Sequence, residues 1–210
     1  MGRSAILAML WWIAALGTLV ATAAWVGAGE FGPPALDREG LILANTWRSP
    51  WLDQVFPALT WLGSLFVLLP LALIAGTLLW RRGHRGEAGF LVAALVGASV
   101  LAQAAKHLAL RPRPDLYLAL SSVASPLSLP SAHAMQVTAL AVALLLVMTR
   151  LALRGSYWAL PVLVSIVAAV GASRLYLQVH YPSDVLAGTV AAVCWVAGLW
   201  ALLLVREGTA

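Results

Sequence analysis

Three places in this sequence hold residues able to do chemistry on an anion. Lys106 is followed by Arg111-Pro112-Arg113-Pro114, Pro130-Ser131-Ala132-His133 comes next, and Ser173-Arg174 precedes His180 and Asp184. Guanidinium groups offer planar, paired donors that match the oxygens of a phosphate. Only Asp184 and Asp115 stand near Lys106, Arg111, Arg113 and Arg174 in the chain, so the surplus is positive and a multiply charged anion suits it. Lys106 is the single lysine beside twelve arginines, in a chain that otherwise avoids the residue.

These clusters matter only if the fold brings them together. The chain is 62% hydrophobic and 10% charged, too little charge to cover a soluble domain of 210 residues. Ala5 to Val26, Val55 to Trp80, Ala88 to Ala105, Gly155 to Ser173 and Val185 to Val205 contain no Asp, Glu, Lys or Arg. At a rise of ~1.5 Å per residue each is about long enough to cross a hydrocarbon layer ~30 Å thick, within the usual range of spans. Ala134 to Thr149 makes a sixth, shorter stretch that extends if Arg150 snorkels. The expected fold is an all-α integral membrane protein, a bundle of six transmembrane helices forming one domain over residues 1–210.

Six spans put both termini on one side. The loops on that side carry Arg3, then Arg81, Arg82 and Arg85, then Arg150 and Arg154, then Arg206. The opposite loops offset Arg38 and Arg48 with Glu30, Asp37, Glu39 and Asp53, and the positive-inside bias therefore puts both termini in the cytoplasm. Parity then does the decisive work. The loop between the third and fourth spans and the loop between the fifth and sixth emerge on the same outer face. Lys106, Arg113, Ser131, His133, Ser173, Arg174, His180 and Asp184 can meet there, although the primary order alone does not imply it.

The remaining features are subordinate. Residues 28–54 form the first outer loop, where Leu36, Leu43, Ala44 and Trp47 recur at helical spacing, as in a short amphipathic helix on the membrane surface. An ordered loop without a role in substrate entry is the alternative. The net charge of +5 sits largely in short loops, which argues for topology and against nucleic acid. The N-terminal apolar run is long for a secretory signal and carries Trp11 and Trp12, so an uncleaved first helix is expected. Cys194 is expected to pack inside the last span, and His84 and His107 to be interfacial. Arg111 is read as a topology or headgroup contact. The two site histidines invite a zinc reading, which the surrounding cations oppose.

Lys106 with Arg113-Pro114, then Pro130-Ser131-Ala132-His133, then Ser173-Arg174 with His180-Tyr181-Pro182-Ser183-Asp184, resemble the three-part motif of the type 2 phosphatidic acid phosphatase superfamily. That group contains lipid phosphate phosphatases and the soluble vanadium haloperoxidases. The motifs span residues 106–184, and the six-span plan extends the likeness over nearly the whole chain. The resemblance implies that His180 attacks phosphorus, that Asp184 holds its other ring nitrogen, and that His133 first protonates the leaving oxygen and then activates water. It further implies that Lys106, Arg113 and Arg174 hold the phosphoryl oxygens, aided by Ser131 and the Ala132 N–H at a helix start. Ser173 is a possible additional contact, or a small residue where two helices meet. No cofactor and no metal are implied.

One position departs from the family pattern, which has glycine where Ala132 stands here. Alanine keeps the N–H, and is expected to be tolerated if the backbone is extended or helical. The expected partner is a phosphorylated membrane lipid, with no nucleic acid and no obligate protein partner evident. The expected setting is a bacterial cytoplasmic membrane with the site on its outer face. Undecaprenyl diphosphate, phosphatidylglycerol phosphate, phosphatidic acid and lipid A phosphates remain open as substrates. A phosphotransferase using the same histidine, or a transporter that binds a phosphorylated ligand without cleaving it, are the competing readings.

Overall fold

The computed structural model describes residues 3–28 and 32–208, with side chains through residue 204. Glu30 and Arg206, which entered the charge count between loops, lie outside the described side chains. Arg3–Gly27 forms α1, Ala35–Thr46 α2, Leu52–Leu59 α3, Leu65–Arg81 α4, Arg85–Ala109 α5, Ala132–Arg150 α6, Ser156–Tyr176 α7 and Pro182–Gly208 α8. α1, α5, α6, α7 and α8 are long and apolar enough to cross a membrane. The sixth span is the bent pair Leu52–Gly63 and Leu65–Arg81. The fold is therefore all-helical among the described residues, with six spans when the bent pair counts as one.

The second span is not the continuous helix that its apolar run suggests. It turns by 42° at a break between α3 and α4. Thr60–Gly63 tightens into a single 3₁₀ turn, and Ser64 is extended, with its hydroxyl accepting the Phe66 N–H at 3.3 Å. A serine is a good N-cap and Gly63 can be packed closely, so the break has a local cause. A Cβ on Gly63 would lie 3.1 Å from the Cβ of His133 and run into Val170. The break is thereby pressed against the starts and ends of the spans that carry the chemistry.

α6 is the centre of the bundle and packs against α4, α5, α7 and α8. Its neighbours approach through small residues: Ala94, Ala98 and Ala102 on α5, Ala139 and Ala143 on α6, Ala187, Ala191 and Ala192 on α8 are all buried. Association inside a bilayer relies on such close van der Waals packing, since lipid tails already solvate larger apolar side chains. Gly188 lets α8 approach the Ser131 carbonyl, to which a Cβ would come within 2.9 Å. At the other end Arg150 pairs with Glu87 at 3.1 Å. Cys194 is buried in α8, in the packing place expected of it.

α2 exists where the helical spacing put it, with its apolar side turned away from the bundle. Leu36, Leu43 and Trp47 are exposed, whereas Asp37 and Leu41 are fully buried against the bundle. Gly40 of α2 meets Pro182 at the start of α8. The helix is seated by a charge, and the spacing of apolar residues could not reveal that.

Candidate active site

Each motif is delivered by a helix end. α5 stops at Leu110, whose left-handed backbone (φ 49°) turns the chain out of the helix just before the prolines. Lys106 is thus left on the last turn, and residues 111–114 run extended. The Ser128 N–H donates to the Arg111 carbonyl at 2.8 Å and the Ser128 hydroxyl to the Pro112 carbonyl at 2.9 Å, pinning that stretch to the segment before α6. Ser131 then N-caps α6, accepting from the Ala134 N–H at 3.5 Å. α7 ends just beyond Arg174, a left-handed Gln178 (φ 58°) reverses the chain, and His180 follows before Pro182 opens α8.

Lys106, Arg113, Ala132, His133, Arg174 and His180 line one cavity of about 780 Å³. The broken second span contributes Thr60, Trp61, Ser64 and Phe66 to its wall, and Gln103 lies one turn below Lys106. A second cavity of about 630 Å³, between α6, α7 and α8, is lined almost wholly by aliphatic side chains and contains none of these charges. The charged residues belong to the first.

Inside it, the cations are held by backbone carbonyls and one hydroxyl. Lys106 Nζ donates to the Leu127 and Ser128 carbonyls at 2.9 and 3.1 Å. Arg113 donates from Nε to Ser125 O at 2.7 Å and from Nη1 to Val179 O at 2.6 Å. Arg174 Nη1 donates to Thr60 Oγ1 at 2.6 Å, and its buried Nε has no acceptor among the described residues. None of these contacts neutralises a charge. The cations converge on the cavity, an arrangement suited to holding an anion.

The ring of His180 is polarised by its two neighbours. Nε2 lies 3.1 Å from Arg113 Nη1, and Nδ1 lies 3.3 Å from Asp184 Oδ2. A guanidinium only donates and a carboxylate only accepts, so the proton belongs on Nδ1 and the lone pair on Nε2. Burial is the largest influence on this imidazole; Arg174, Arg113, Lys106 and His133 add to it, and together they hold its pKa well below the ordinary value. The ring is therefore neutral at neutral pH, with its Nε2 lone pair free of a proton. Burial likewise lowers the pKa of the Arg113 guanidinium, against the opposing pull of Asp184.

Three residues expected at the site stand behind the cavity wall. Asp184 is fully buried beneath His180, with Oδ2 also accepting the Tyr181 N–H at 2.9 Å. Ser131 uses its hydroxyl as the α6 cap, while its N–H donates to the Asp184 carbonyl at 3.0 Å. Ser173 donates to Val170 O at 2.6 Å within its own helix. Ala132 is the first residue of α6 and has no positive φ, the condition under which alanine is tolerated there. His84 and His107 are absent from the lining of this cavity.

Arg111 is different from its reading as a headgroup contact. It is 8% exposed and bridges Asp184 Oδ1 and Asp37 Oδ2, each at 2.6 Å, beneath the Tyr181 ring 3.9 Å away. Asp37 is accordingly a third nearby anion. Nothing in the linear order announces it, because 74 residues separate the partners. Thr60 was hidden for a related reason, as a neutral residue inside an apolar run.

Six spans holding three cations and two histidines around one cavity define a membrane phosphatase. Residues 87–207, more than half of the chain, match the PAP2 superfamily. Phosphatidylglycerophosphatase B of Bacillus subtilis (strain 168) is 30% identical over 176 residues, covering 81% of this chain and 82% of that protein. The chain belongs to the PAP2 superfamily. Its fold is shared with a transmembrane PAP2-type phosphatidylglycerolphosphate phosphatase from Bacillus subtilis, with a TM-score of 0.76, 24% identity, and coverage of 94% of this chain and 97% of that one. LpxE of Aquifex aeolicus is similar as well, with a TM-score of 0.62, 26% identity, and coverage of 80% and 96%.

Proposed function

We propose that this chain hydrolyses a phosphorylated membrane lipid through a phosphohistidine on His180, without a metal ion. The observation that carries the reading is the polarised ring: Nε2 presents a lone pair beside Arg113, while Nδ1 is bound to Asp184. As Nε2 forms a bond to phosphorus, the phosphorus–oxygen bond to the lipid breaks. The Nδ1 proton stays on the ring, where Asp184 stabilises the positive charge that develops. Lys106, Arg113 and Arg174 hold the equatorial oxygens and supply the charge that a metal ion provides elsewhere. The orphaned Arg174 Nε gains an acceptor in the process.

His133, the second residue of α6, stands on the cavity wall. It would donate a proton to the departing lipid oxygen, then take one from a water that attacks the phosphohistidine. The phosphorus–nitrogen bond breaks and inorganic phosphate leaves. Ser131 would act by holding the first turn of α6, and the Ala132 N–H by donating at its start. Outer-face action is supported by the arginine asymmetry: Arg81, Arg82, Arg85, Arg150 and Arg154 all fall at the end of the bundle away from the cavity. The similar proteins are bacterial, and two of the three are named for phosphatidylglycerophosphate, so a bacterial membrane and that lipid come first.

The test uses detergent-purified protein, EDTA, and phosphatidylglycerol phosphate carrying labelled terminal phosphate. The wild type should release inorganic phosphate without an added acceptor lipid, and an alkaline quench should capture label on the protein. His180→Ala should do neither. Undiminished phosphate release by that variant defeats the proposal, and release only with an acceptor alcohol would make the chain a transferase.

A further inference from the structure

Behind His180 a run of buried charge leads away from the cavity to α2. Asp184 gives one carboxylate oxygen to His180 and the Tyr181 N–H, and the other to Arg111 at 2.6 Å. Arg111 gives its second terminal nitrogen to Asp37 at 2.6 Å. Asp37 also accepts from the Ser183 N–H at 2.8 Å and the Ser183 hydroxyl at 2.7 Å. Both aspartates are fully buried, and Arg111 is nearly so.

We infer that Asp37 and Arg111 are positioning residues that set the orientation and basicity of His180 through Asp184. The inference rests on the phosphohistidine reading above. A carboxylate anchored at one oxygen by a guanidinium can present the other to an imidazole in one direction only. The shared cation also decides how much of the Asp184 charge His180 feels. Arg111 draws on that charge, and Asp37 competes for Arg111 and so restores it. Seating α2 through Asp37 therefore tunes the nucleophile, and a helix in the first inter-span loop becomes part of the catalytic framework.

The groups that face His180 are Lys106 from α5, Arg113, His133 from α6, Arg174 from α7 and Asp184 from α8. Arg111 faces Asp37, Asp184 and Tyr181, with Asp115 also acting on Tyr181. Of these, Asp37 and Arg111 line no part of the cavity, so substituting them changes the ring's electrostatics without touching phosphate.

The two substitutions have opposite signs, which a merely structural role does not produce. Asp37→Asn removes a negative charge and leaves Arg111 to act fully on Asp184, so His180 becomes less basic. Arg111→Gln removes a positive charge, so it becomes more basic. The test is kcat/KM against pH for phosphatidylglycerol phosphate in mixed micelles. The acidic limb should move to lower pH in Asp37→Asn and to higher pH in Arg111→Gln, each by roughly half a unit or more. Asp37→Asn/Arg111→Gln should lie between, and Arg111→Lys should hold the limb near the wild-type position.

Limbs that stay in place, or move in the same direction, overturn the inference, whatever happens to the yield of folded protein. If Arg111→Gln does not fold, Asp37→Asn and Arg111→Lys decide the question, since asparagine still accepts from Ser183. His180→Ala is run alongside. Activity in that variant defeats the phosphohistidine reading itself, whereas its silence with unmoved limbs defeats only the positioning role.

Discussion

Arg174 Nη1 lies 2.6 Å from Thr60 Oγ1, joining the end of α7 to the break in the second span across 114 residues of sequence. The bend between α3 and α4 is what brings the hydroxyl there, and Gly63 is what allows the bend to press against α6 and α7. A cation on the cavity wall is thus held by a neutral residue from a different element.

Removing that acceptor should misplace the cation without removing it. Thr60→Val keeps the shape and leaves a buried guanidinium donor unmatched, a cost of ~1–3 kcal/mol. We expect kcat/KM for phosphatidylglycerol phosphate to fall about tenfold. Arg174→Lys should lose about a hundredfold, because a point charge cannot replace two directed donors. Phosphate release at the wild-type rate by Thr60→Val would mean that the hydroxyl does not aim Arg174.

The sequence made some of this arrangement readable and hid the rest for identifiable reasons. Lys106, Arg113, His133, Arg174 and His180 could be grouped because helix parity alone sends their loops to one end. The six spans followed from uncharged runs. The bend at Ser64 was not readable, since Thr60, Gly63 and Ser64 are all compatible with a buried transmembrane helix. In the sequence Asp37 is only one acidic residue of the first outer loop, because apolar spacing reports which face is greasy and not which charge has a buried partner. Arg111 reads as a topology or headgroup contact for the same reason, since the value of a cation depends on anions that only the fold supplies.

Ala132 stands where the family pattern has glycine, and the backbone there is the first turn of α6. Glycine at a helical position costs up to ~1 kcal/mol relative to alanine, least near a terminus. Ala132→Gly should therefore lower the thermal midpoint slightly and change the rate by no more than about threefold. A large gain in rate would instead show that the methyl group obstructs the N–H at the phosphate.

Protonation of His180 should be visible in stability as well as in rate. Its pKa in the folded protein is held well below the ordinary value, first by burial and then by Arg174, Arg113, Lys106 and His133. In the unfolded chain the ring returns to ~6.5. The unfolded state then binds the proton first, so the neutral ring contributes stability above pH ~6.5 that is lost as pH falls below it. The thermal aggregation midpoint in detergent should drop between pH 7 and pH 5, and drop less in His180→Gln. Equal drops in the two proteins would assign the acid sensitivity to other groups.

The part given to His133 can be separated from the part given to His180 by changing the leaving group. A lipid alkoxide needs a proton as it departs, and positioned acid–base catalysis contributes ~10²–10⁴-fold to such steps. Nitrophenolate needs none. With para-nitrophenyl phosphate, His133→Ala should still transfer phosphate to His180, but water should then attack slowly for lack of a base. The expected trace is a burst of about one nitrophenolate per enzyme, then a slow phase. The alkali-stable label should accumulate on the protein over the same interval. With phosphatidylglycerol phosphate the same variant should show no burst, because the first step fails too. Equal defects on both substrates, with no burst on either, would remove the proton-transfer role and leave His133 as a wall of the cavity.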